Sequence, residues 1–169
     1  MTDFRFEQIR DQHDCQYFES GIPSLDFWLQ REALNAHRGG LSRTHVSVEE
    51  GDDYLQVRGY FTLCPTVVTD LAGGREGGYP SYLLCKLARH ADLRKTGHGG
   101  DLLAEAMAKT VEAADAAGGR FLVVDPHVDD ADRAHTGRVR DFYRDNGFQD
   151  MGDGVNRMYI SIKTIRRQL

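Results

Sequence analysis

The chain has 169 residues, of which 40% are hydrophobic and 28% are charged, with a formal net charge of −5. This length favours a single domain over residues 1–169 and is short for two, and the composition excludes a disordered chain. The negative net charge does not guarantee the basic surface that phosphate-binding proteins usually display. The three cysteines, Cys15, Cys64 and Cys85, lie far apart in apolar segments, which predicts core thiols rather than a disulfide or a zinc site. No apolar run reaches the roughly 18 residues of a membrane span, and the N-terminus lacks a signal-peptide core, so we expect a cytoplasmic protein.

The N-terminal half predicts a strand, a helix and a β-hairpin. Residues 4–9 alternate as a strand does, and a helix follows with Pro23 in its first turn, ending at Gly39. Residues 44–49 and 54–64 predict the two strands of the hairpin. Residues 66–78 end in a glycine-rich run and predict an exposed loop.

The C-terminal half predicts alternating strands and helices. A strand over 81–90, an amphipathic helix that ends at Gly118 and a strand over 120–124 imply a parallel crossover connection. Thr136 is a candidate N-cap for a further helix, which ends near Gly147. Two last strands, near 148–151 and 157–162, complete a mixed sheet.

The segment between the strand at 81–90 and the following helix carries three closely spaced glycines, Gly97, Gly99 and Gly100. Glycines let backbone N–H groups approach an anion, and the positive end of the helix points at the same place. No Gly-Lys-Ser/Thr follows, which excludes a Walker loop, and Leu102 replaces the third glycine of a dinucleotide fingerprint. The segment therefore predicts a diphosphate-binding loop, with a plain strand–turn–helix connection as the alternative.

Three motifs together resemble the GNAT superfamily of N-acetyltransferases. They are the R-x-x-G-x-G pattern at 94–100, the segment DFYRDNGF at 141–148 and the apolar run at 83–88 before the loop. The resemblance implies an α/β (α+β) acyl-CoA N-acyltransferase fold, a mixed and mostly antiparallel sheet with a central parallel strand pair flanked by helices. It also implies acetyl-CoA as cosubstrate, whereas the expectation of no metal rests on the number and spacing of the cysteines.

The N-terminal half resembles one branch of that superfamily, the GNAT toxins of toxin–antitoxin pairs. The matching segments are FESG at 18–21, LDFWL at 25–29, GLSRTHV at 40–46 and VRGYFTL at 57–63. The resemblance implies acetylation of the amino acid on charged tRNA, a DNA-binding antitoxin as partner and a homodimer. The chain departs from the pattern at Ser20, where Cys is common, at 89–90, where Val-Asp is usual, and in an insertion-like segment at 126–135.

The same resemblance assigns roles to individual residues. Tyr143 becomes the general acid that protonates the sulfur of the coenzyme, since a phenol with a pKa of about 10 keeps its proton at neutral pH; a core tyrosine is the alternative. The resemblance also implies three groups of coenzyme-binding residues. Pantetheine runs like an added strand beside Leu87, Ala88 and Arg89, and the diphosphate binds the N–H groups of Thr96, Gly97, His98, Gly99 and Gly100. The side chains of Arg94 and Lys95 either add positive charge to this site or are merely solvated.

No general base stands out, and His90, Asp125 and His127 are the candidates. An α-amine has a pKa of about 7.7–8.0 and needs little help from a base, whereas a lysine amine has a pKa of about 10.4 and needs a base to remove its proton. An α-amine acceptor is thus favoured, on aminoacyl-tRNA, a small molecule or a peptide. For tRNA, Arg38 and Arg43 are the candidate substrate-binding residues. A non-catalytic acyl-CoA-binding module is the third alternative.

Overall fold

The computed structural model describes residues 2–69, 71 and 74–169. Within them, the strands are β1 (Phe4–Gln8), β2 (Arg43–Glu49), β3 (Gly59–Val68), β4 (Tyr79–Arg89), β5 (Phe121–Val124), β6 (Gln149–Asp150) and β7 (Met158–Ser161). The helices are α1 (Pro23–Arg31), α2 (Ala33–Arg38), α3 (His98–Ala117), α4 (Arg133–Asp145) and α5 (Ile162–Gln168). None of the helices in the described ranges is long and apolar enough to cross a membrane.

The strands form a mixed sheet in the order β1-β2-β3-β4-β5-β7-β6. The pair β4–β5 is parallel and joins Tyr82–Leu84 to Leu122–Val124. The pairs β1–β2, β2–β3, β5–β7 and β6–β7 are antiparallel. The predicted fold class, a mostly antiparallel sheet with a central parallel pair, is confirmed.

The chain divides into two compact units, Met1–Cys64 with Cys85–Ala106, and Pro65–Leu84 with Met107–Leu169. The core of the first unit contains Ile9, Phe18, Leu29, Ala33, Val46, Val57, Tyr60 and Ala88. The second unit buries, among others, Leu84, Leu122, Val123, Phe148, Met158, Ile160 and Ile165. Organisation as one domain stays a prediction from length.

The single helix predicted after residue 23 is two helices, α1 and α2. The carboxylate of Asp26 accepts hydrogen bonds from the N–H (2.9 Å) and the hydroxyl (2.6 Å) of Ser20, which fixes the turn before α1. Glu32 departs from helical geometry with φ of −119° and separates the two helices. The Tyr60 hydroxyl donates to the carbonyl of Leu25 (2.8 Å) and holds α1 against the sheet.

The second strand of the predicted hairpin begins at Gly59 instead of residue 54. Asp52 accepts the N–H groups of Tyr54 and Gln56 (both 2.9 Å), and Leu55 adopts a φ of 52°, so this segment is a looped turn. The strand also continues to Val68, into the predicted loop at 66–78, of which residues 70, 72 and 73 lie outside the described part of the chain.

Two further predictions about the C-terminal half are wrong. The N-cap of α4 is Asp132, which accepts the N–H of His135 (2.9 Å), so Thr136 lies inside the helix. The last strand ends at Ser161, whose hydroxyl accepts the N–H of Thr164 (3.0 Å) and starts the unpredicted helix α5. At Ser161 the cap ends the apolar strand pattern because its hydroxyl satisfies a helix N–H group locally, and at α4 the carboxylate of Asp132 satisfies such a group four residues before Thr136.

Replacing Gly59 by alanine is expected to destabilise the protein by about 1–3 kcal/mol, because the new methyl group overpacks a filled core. A Cβ there would lie 2.7 Å from Leu102 Cδ1, 2.9 Å from Ser47 Oγ and 3.1 Å from His98 Nε2. Gly137→Ala is the matched control, since a Cβ at Gly137 meets nothing within 4 Å, and it should be neutral or stabilising. Urea denaturation of both variants measures the difference; equal stabilities would contradict the packing.

Candidate functional site

The glycine-rich segment turns sharply between β4 and α3. A short 3₁₀ helix at Ala91–Leu93 follows β4, and the backbone then adopts left-handed conformations at Lys95 (φ 62°) and Gly97 (φ 87°). Positive φ is unusual for a residue other than glycine, so the backbone at Lys95 is strained. The two left-handed residues redirect the chain into α3.

Thr96 holds the turn between these two residues. Its hydroxyl donates to the carbonyl of Leu93 (2.6 Å) and accepts the N–H of His98 (3.3 Å). A threonine in this role satisfies one of the donors that a helix start leaves without a carbonyl partner.

The donors that follow in α3 belong to glycines. Asp101 donates its N–H to the carbonyl of Gly97 (3.1 Å), so the N–H groups of Gly99 and Gly100 precede the first full helical turn. A Cβ at Gly97 or Gly100 would meet nothing within 4 Å, which means that the surface here is open. The start of α3 therefore offers backbone donors and the positive end of a helix dipole to an anion.

Two arginines beside the turn lack anionic partners. In the described part of the chain, neither the Arg89 guanidinium nor the Arg94 guanidinium takes part in a hydrogen bond or an ion pair. Burial and the positive charge of Arg94 lower the pKa of the Arg89 guanidinium. The Arg94 guanidinium lies against Gly21 (φ +93°), where an added Cβ would be 2.6 Å from its terminal nitrogen. Two such cations at a helix start would attract an anionic group.

The N-terminal segment supports this loop from the same compact unit. The N–H of Ala91 donates to the carbonyl of Glu19 (2.8 Å), and the Phe18 ring meets the His90 ring edge-on at 6.0 Å. The carbonyl of Arg58 accepts the N–H of His90 (2.8 Å). The segment FESG, a motif of the resemblance, thus positions the loop.

Arg58 is a charged residue near the loop that the sequence did not single out. Its side chain is only 17% exposed, with Nε at 3.6 Å from Glu49 and a terminal nitrogen at 4.0 Å from Asp92. The buried Nε has no hydrogen-bond partner. The signal that could have found it is a lone charge inside the otherwise apolar VRGYFTL segment.

The side chain of His98 points into the core instead of toward a ligand. Its Nε2 lies 2.8 Å from the Ser47 hydroxyl, and its ring packs on Phe4 at 4.2 Å and near Phe6 at 6.2 Å between centroids. Burial lowers the pKa of the imidazole, which favours the neutral form. Only the backbone of this predicted coenzyme-binding residue faces the loop.

The end of β4 carries the other predicted coenzyme-binding residues. Ala88 belongs to the core cluster of the first unit, whereas Leu87 and Arg89 are half-buried. The pairing of β4 with β5 covers Tyr82–Leu84, and β4 runs on to Arg89. The backbone after Leu84 therefore lies beyond that ladder of hydrogen bonds.

Tyr143 lies on α4 in the second unit. It is 6% exposed, and the rings of Phe142 and Phe148 lie edge-on to it at 5.2 and 5.3 Å. Burial raises the pKa of its phenol, so the proton stays on the oxygen across the neutral range. No hydrogen bond to the hydroxyl is present among the described residues, which leaves it able to donate to a ligand.

The three candidate bases are engaged in structural contacts. His90 caps the 3₁₀ helix through Nδ1, and the Arg157 guanidinium binds Asp125 at 2.9 and 2.8 Å and lowers the pKa of that carboxyl. His127 and His135 contact each other at 3.1 Å between ring nitrogens. Within the described ranges, no group of three or more His, Cys, Asp or Glu residues could hold a metal ion.

The two predicted substrate-binding arginines are also in contact with the protein. Arg38 forms an ion pair with Asp11, although both side chains remain more than half exposed. Arg43 donates to the carbonyl of His37 (2.7 Å), close to the C-terminal end of α2. Both arginines are exposed, and only the charge of Arg38 is paired with a carboxylate, in a surface ion pair that exchanges easily.

Comparison with known proteins finds relatives of similar sequence and solved structures of similar fold. No model of a known protein family matches this sequence. A tRNA-acetylating toxin from Mycobacterium tuberculosis (strain ATCC 25618 / H37Rv) is 35% identical over 130 residues, which cover 73% of this chain and 76% of the relative.

Two solved structures superpose on nearly the whole chain. AtaTR bound with AcCoA has a TM-score of 0.82 at 27% identity and covers 98% of both chains. AtaT complexed with acetyl-methionyl-tRNAfMet has a TM-score of 0.81 at 26% identity, over 98% of this chain and 99% of that one. The topology of the sheet is thus shared with these proteins.

Acidification is expected to destabilise the protein in part through His98. Its pKa, ordinarily 6.5, is lowered in the folded state, so the unfolded chain binds this proton more readily and stability falls as the pH drops through about 6.5. His98→Gln, whose amide can still reach Ser47, should lower this pH dependence by up to about 1.4 kcal/mol per pH unit. Denaturant titrations between pH 5.5 and 7.5 measure the slope. His37, whose pKa is also lowered by burial, accounts for a remaining slope; identical slopes would contradict the role of His98.

Proposed function

The chain belongs to the family of tRNA-acetylating toxins with the GNAT fold, and from this membership we propose that it transfers an acetyl group from acetyl-CoA to the α-amine of an aminoacyl-tRNA. The observation that carries the proposal is the 35% identity with a tRNA-acetylating toxin over 76% of that relative. The chain acts in the cytoplasm, where charged tRNA is found, as a toxin restrained by a DNA-binding antitoxin, and it pairs with a second copy.

The coenzyme binds at the start of α3. Its diphosphate accepts hydrogen bonds from the backbone donors of the segment 96–100, and Arg94, Lys95 and Arg89 supply positive charge around it. The open surface at Gly97 and Gly100 and the two unpaired guanidiniums support this placement. The pantetheine arm lies along Leu87–Arg89 and takes main-chain hydrogen bonds there, with an N–H of Ala88 or Arg89 directed at the thioester oxygen.

Tyr143 provides the proton. Bound acetyl-CoA supplies an activated thioester, and the amine that attacks it expels a thiolate, which must be protonated. A buried phenol with a raised pKa and no protein partner keeps its proton until a basic sulfur comes within reach. The candidate bases are engaged elsewhere, which favours an acceptor that needs no base, and an α-amine is such an acceptor.

The acceptor approaches along the first unit, near α1 and α2. Arg31 lies over the Phe27 ring and Lys86 over the Trp28 ring, both at 5.9 Å, and Arg38 and Arg43 follow at the end of α2. These cations provide a local positive surface on a chain of net negative charge. Phosphate contacts of this kind weaken as salt rises.

Labelled acetyl-CoA incubated with the protein and total aminoacylated tRNA is expected to yield N-acetylated amino acids, detected by mass spectrometry after release from the tRNA. Arg38→Glu should raise the KM for tRNA severalfold and leave the Kd of acetyl-CoA unchanged, since it reverses charge on the acceptor side only. Arg166→Glu is the matched control, because Arg166 is a similarly exposed arginine paired with Asp115. Acetylation of a small amine without any acetylated aminoacyl-tRNA would support the metabolite alternative instead.

Tyr143→Phe is expected to lower kcat by about 10²–10⁴-fold with acetyl-CoA affinity preserved, because only the transferable proton is lost. Tyr159→Phe removes a phenol hydroxyl that donates to Gln149 in the same unit, and it should leave kcat unchanged. Stopped assays with both variants, together with their melting temperatures, test the assignment. Full turnover by Tyr143→Phe would exclude Tyr143 as the acid, and a loss of folding would identify it as a core tyrosine.

A further inference from the structure

Two cysteines that lie 21 residues apart in the sequence meet on neighbouring strands. Cys64 on β3 and Cys85 on β4 place their sulfur atoms 2.9 Å apart. Both residues are only half-buried, so neither is sealed inside the core. The sequence predicted core thiols, and the fold brings two of the three into contact.

We propose that Cys64 and Cys85 are an oxidation site that closes reversibly into an intrachain disulfide when a hydroperoxide reacts with it. Adjacent strands run about 4.7–4.9 Å apart, which lies within the Cα separations of roughly 4.4–6.8 Å that a disulfide spans. A disulfide bond is about 2.05 Å long, so the two sulfurs have roughly 1 Å to close, which small rotations about the side-chain bonds supply.

The order of the steps follows from the protonation of the pair. Burial and the contact with Cys64 raise the pKa of the Cys85 thiol to about 12, so Cys85 keeps its proton. The Cys64 sulfur, after losing its proton, attacks the O–O bond of the hydroperoxide and becomes a sulfenic acid, while the other oxygen takes that proton and leaves as an alcohol or water. The Cys85 sulfur then displaces the hydroxyl group, which leaves as water with the Cys85 proton. Two thiols are oxidised by two electrons and one peroxide is reduced.

The crosslink acts on stability. It joins β3 to β4 immediately before the segment Lys86–Arg89 and closes a loop in the unfolded chain, whose entropy falls. For a loop of this size in a chain of this length, the melting temperature is expected to rise by roughly 5–10 °C. A thiol pair in a reducing compartment would close only under oxidative conditions and reopen when they end. Acetyl transfer is not required for the crosslink, so it stands apart from the proposed function.

Hydrogen peroxide titration of the full chain tests the site by intact mass and peptide mapping. We expect the loss of two hydrogen atoms, a peptide crosslinked between Cys64 and Cys85, reversal by dithiothreitol and the rise in melting temperature. Cys15→Ser should behave as the unsubstituted chain, since Cys15 lies in a separate cluster, whereas Cys85→Ser should form no crosslink.

Three results would overturn the site. They are a disulfide between two chains, a crosslink that includes Cys15, and oxidation of Cys64 to sulfinic acid with Cys85 left reduced. Peptide mapping of the unsubstituted chain distinguishes these three results from the expected Cys64–Cys85 crosslink even if Cys85→Ser fails to fold. An unchanged melting temperature of the mapped, crosslinked protein would overturn the stabilising effect.

Discussion

The position of the first turn of α3 depends on a buried histidine. His98 is both the first residue of the helix and a core side chain, held by Ser47 and by the Phe4 ring. Because its side chain is fixed inside, the half-buried glycines that follow are placed in the first turn of the helix, where backbone N–H groups have no helical partner. Gly59 completes the arrangement, since any larger residue would occupy the space of the imidazole. The position of the helix start is therefore set by packing in the core of the first unit.

Local charge matters more here than net charge. The chain is acidic as a whole, yet three guanidiniums, those of Arg58, Arg89 and Arg94, surround the start of α3. The carboxylates of Glu49 and Asp92 lie near Arg58 and compensate only part of this charge. Like charges held together in a partly buried place repel each other, and a bound phosphate would relieve that repulsion. An acidic composition is therefore compatible with a site for a highly charged coenzyme.

The sequence predicted the family and the fold because both depend on short local patterns. Each of the motifs spans only a few consecutive residues: the glycines at 97–100, the segment DFYRDNGF and the N-terminal motifs. The family and the topology that they indicated are confirmed. The features that the sequence did not predict depend on contacts between residues far apart in the chain. The inward orientation of His98 requires Ser47, and the meeting of Cys64 with Cys85 requires the register of two strands. The helix α5 was missed because Ser161, its cap, sits at the end of an apolar strand pattern.

The contact between Gly21 and Arg94 has an evolutionary consequence. A side chain at position 21 would compete for the space of the Arg94 guanidinium, and the positive φ at Gly21 adds backbone strain to any replacement. The effect of a substitution at one position thus depends on the residue at the other, which is epistasis between two motifs far apart in the chain. The Arg94 guanidinium is the far end of a flexible, exposed side chain that can move aside, so a lineage that exchanges Arg94 for a shorter residue gains little freedom at position 21. The backbone conformation of Gly21 is therefore the stronger constraint, and the coupling between the two motifs is weak.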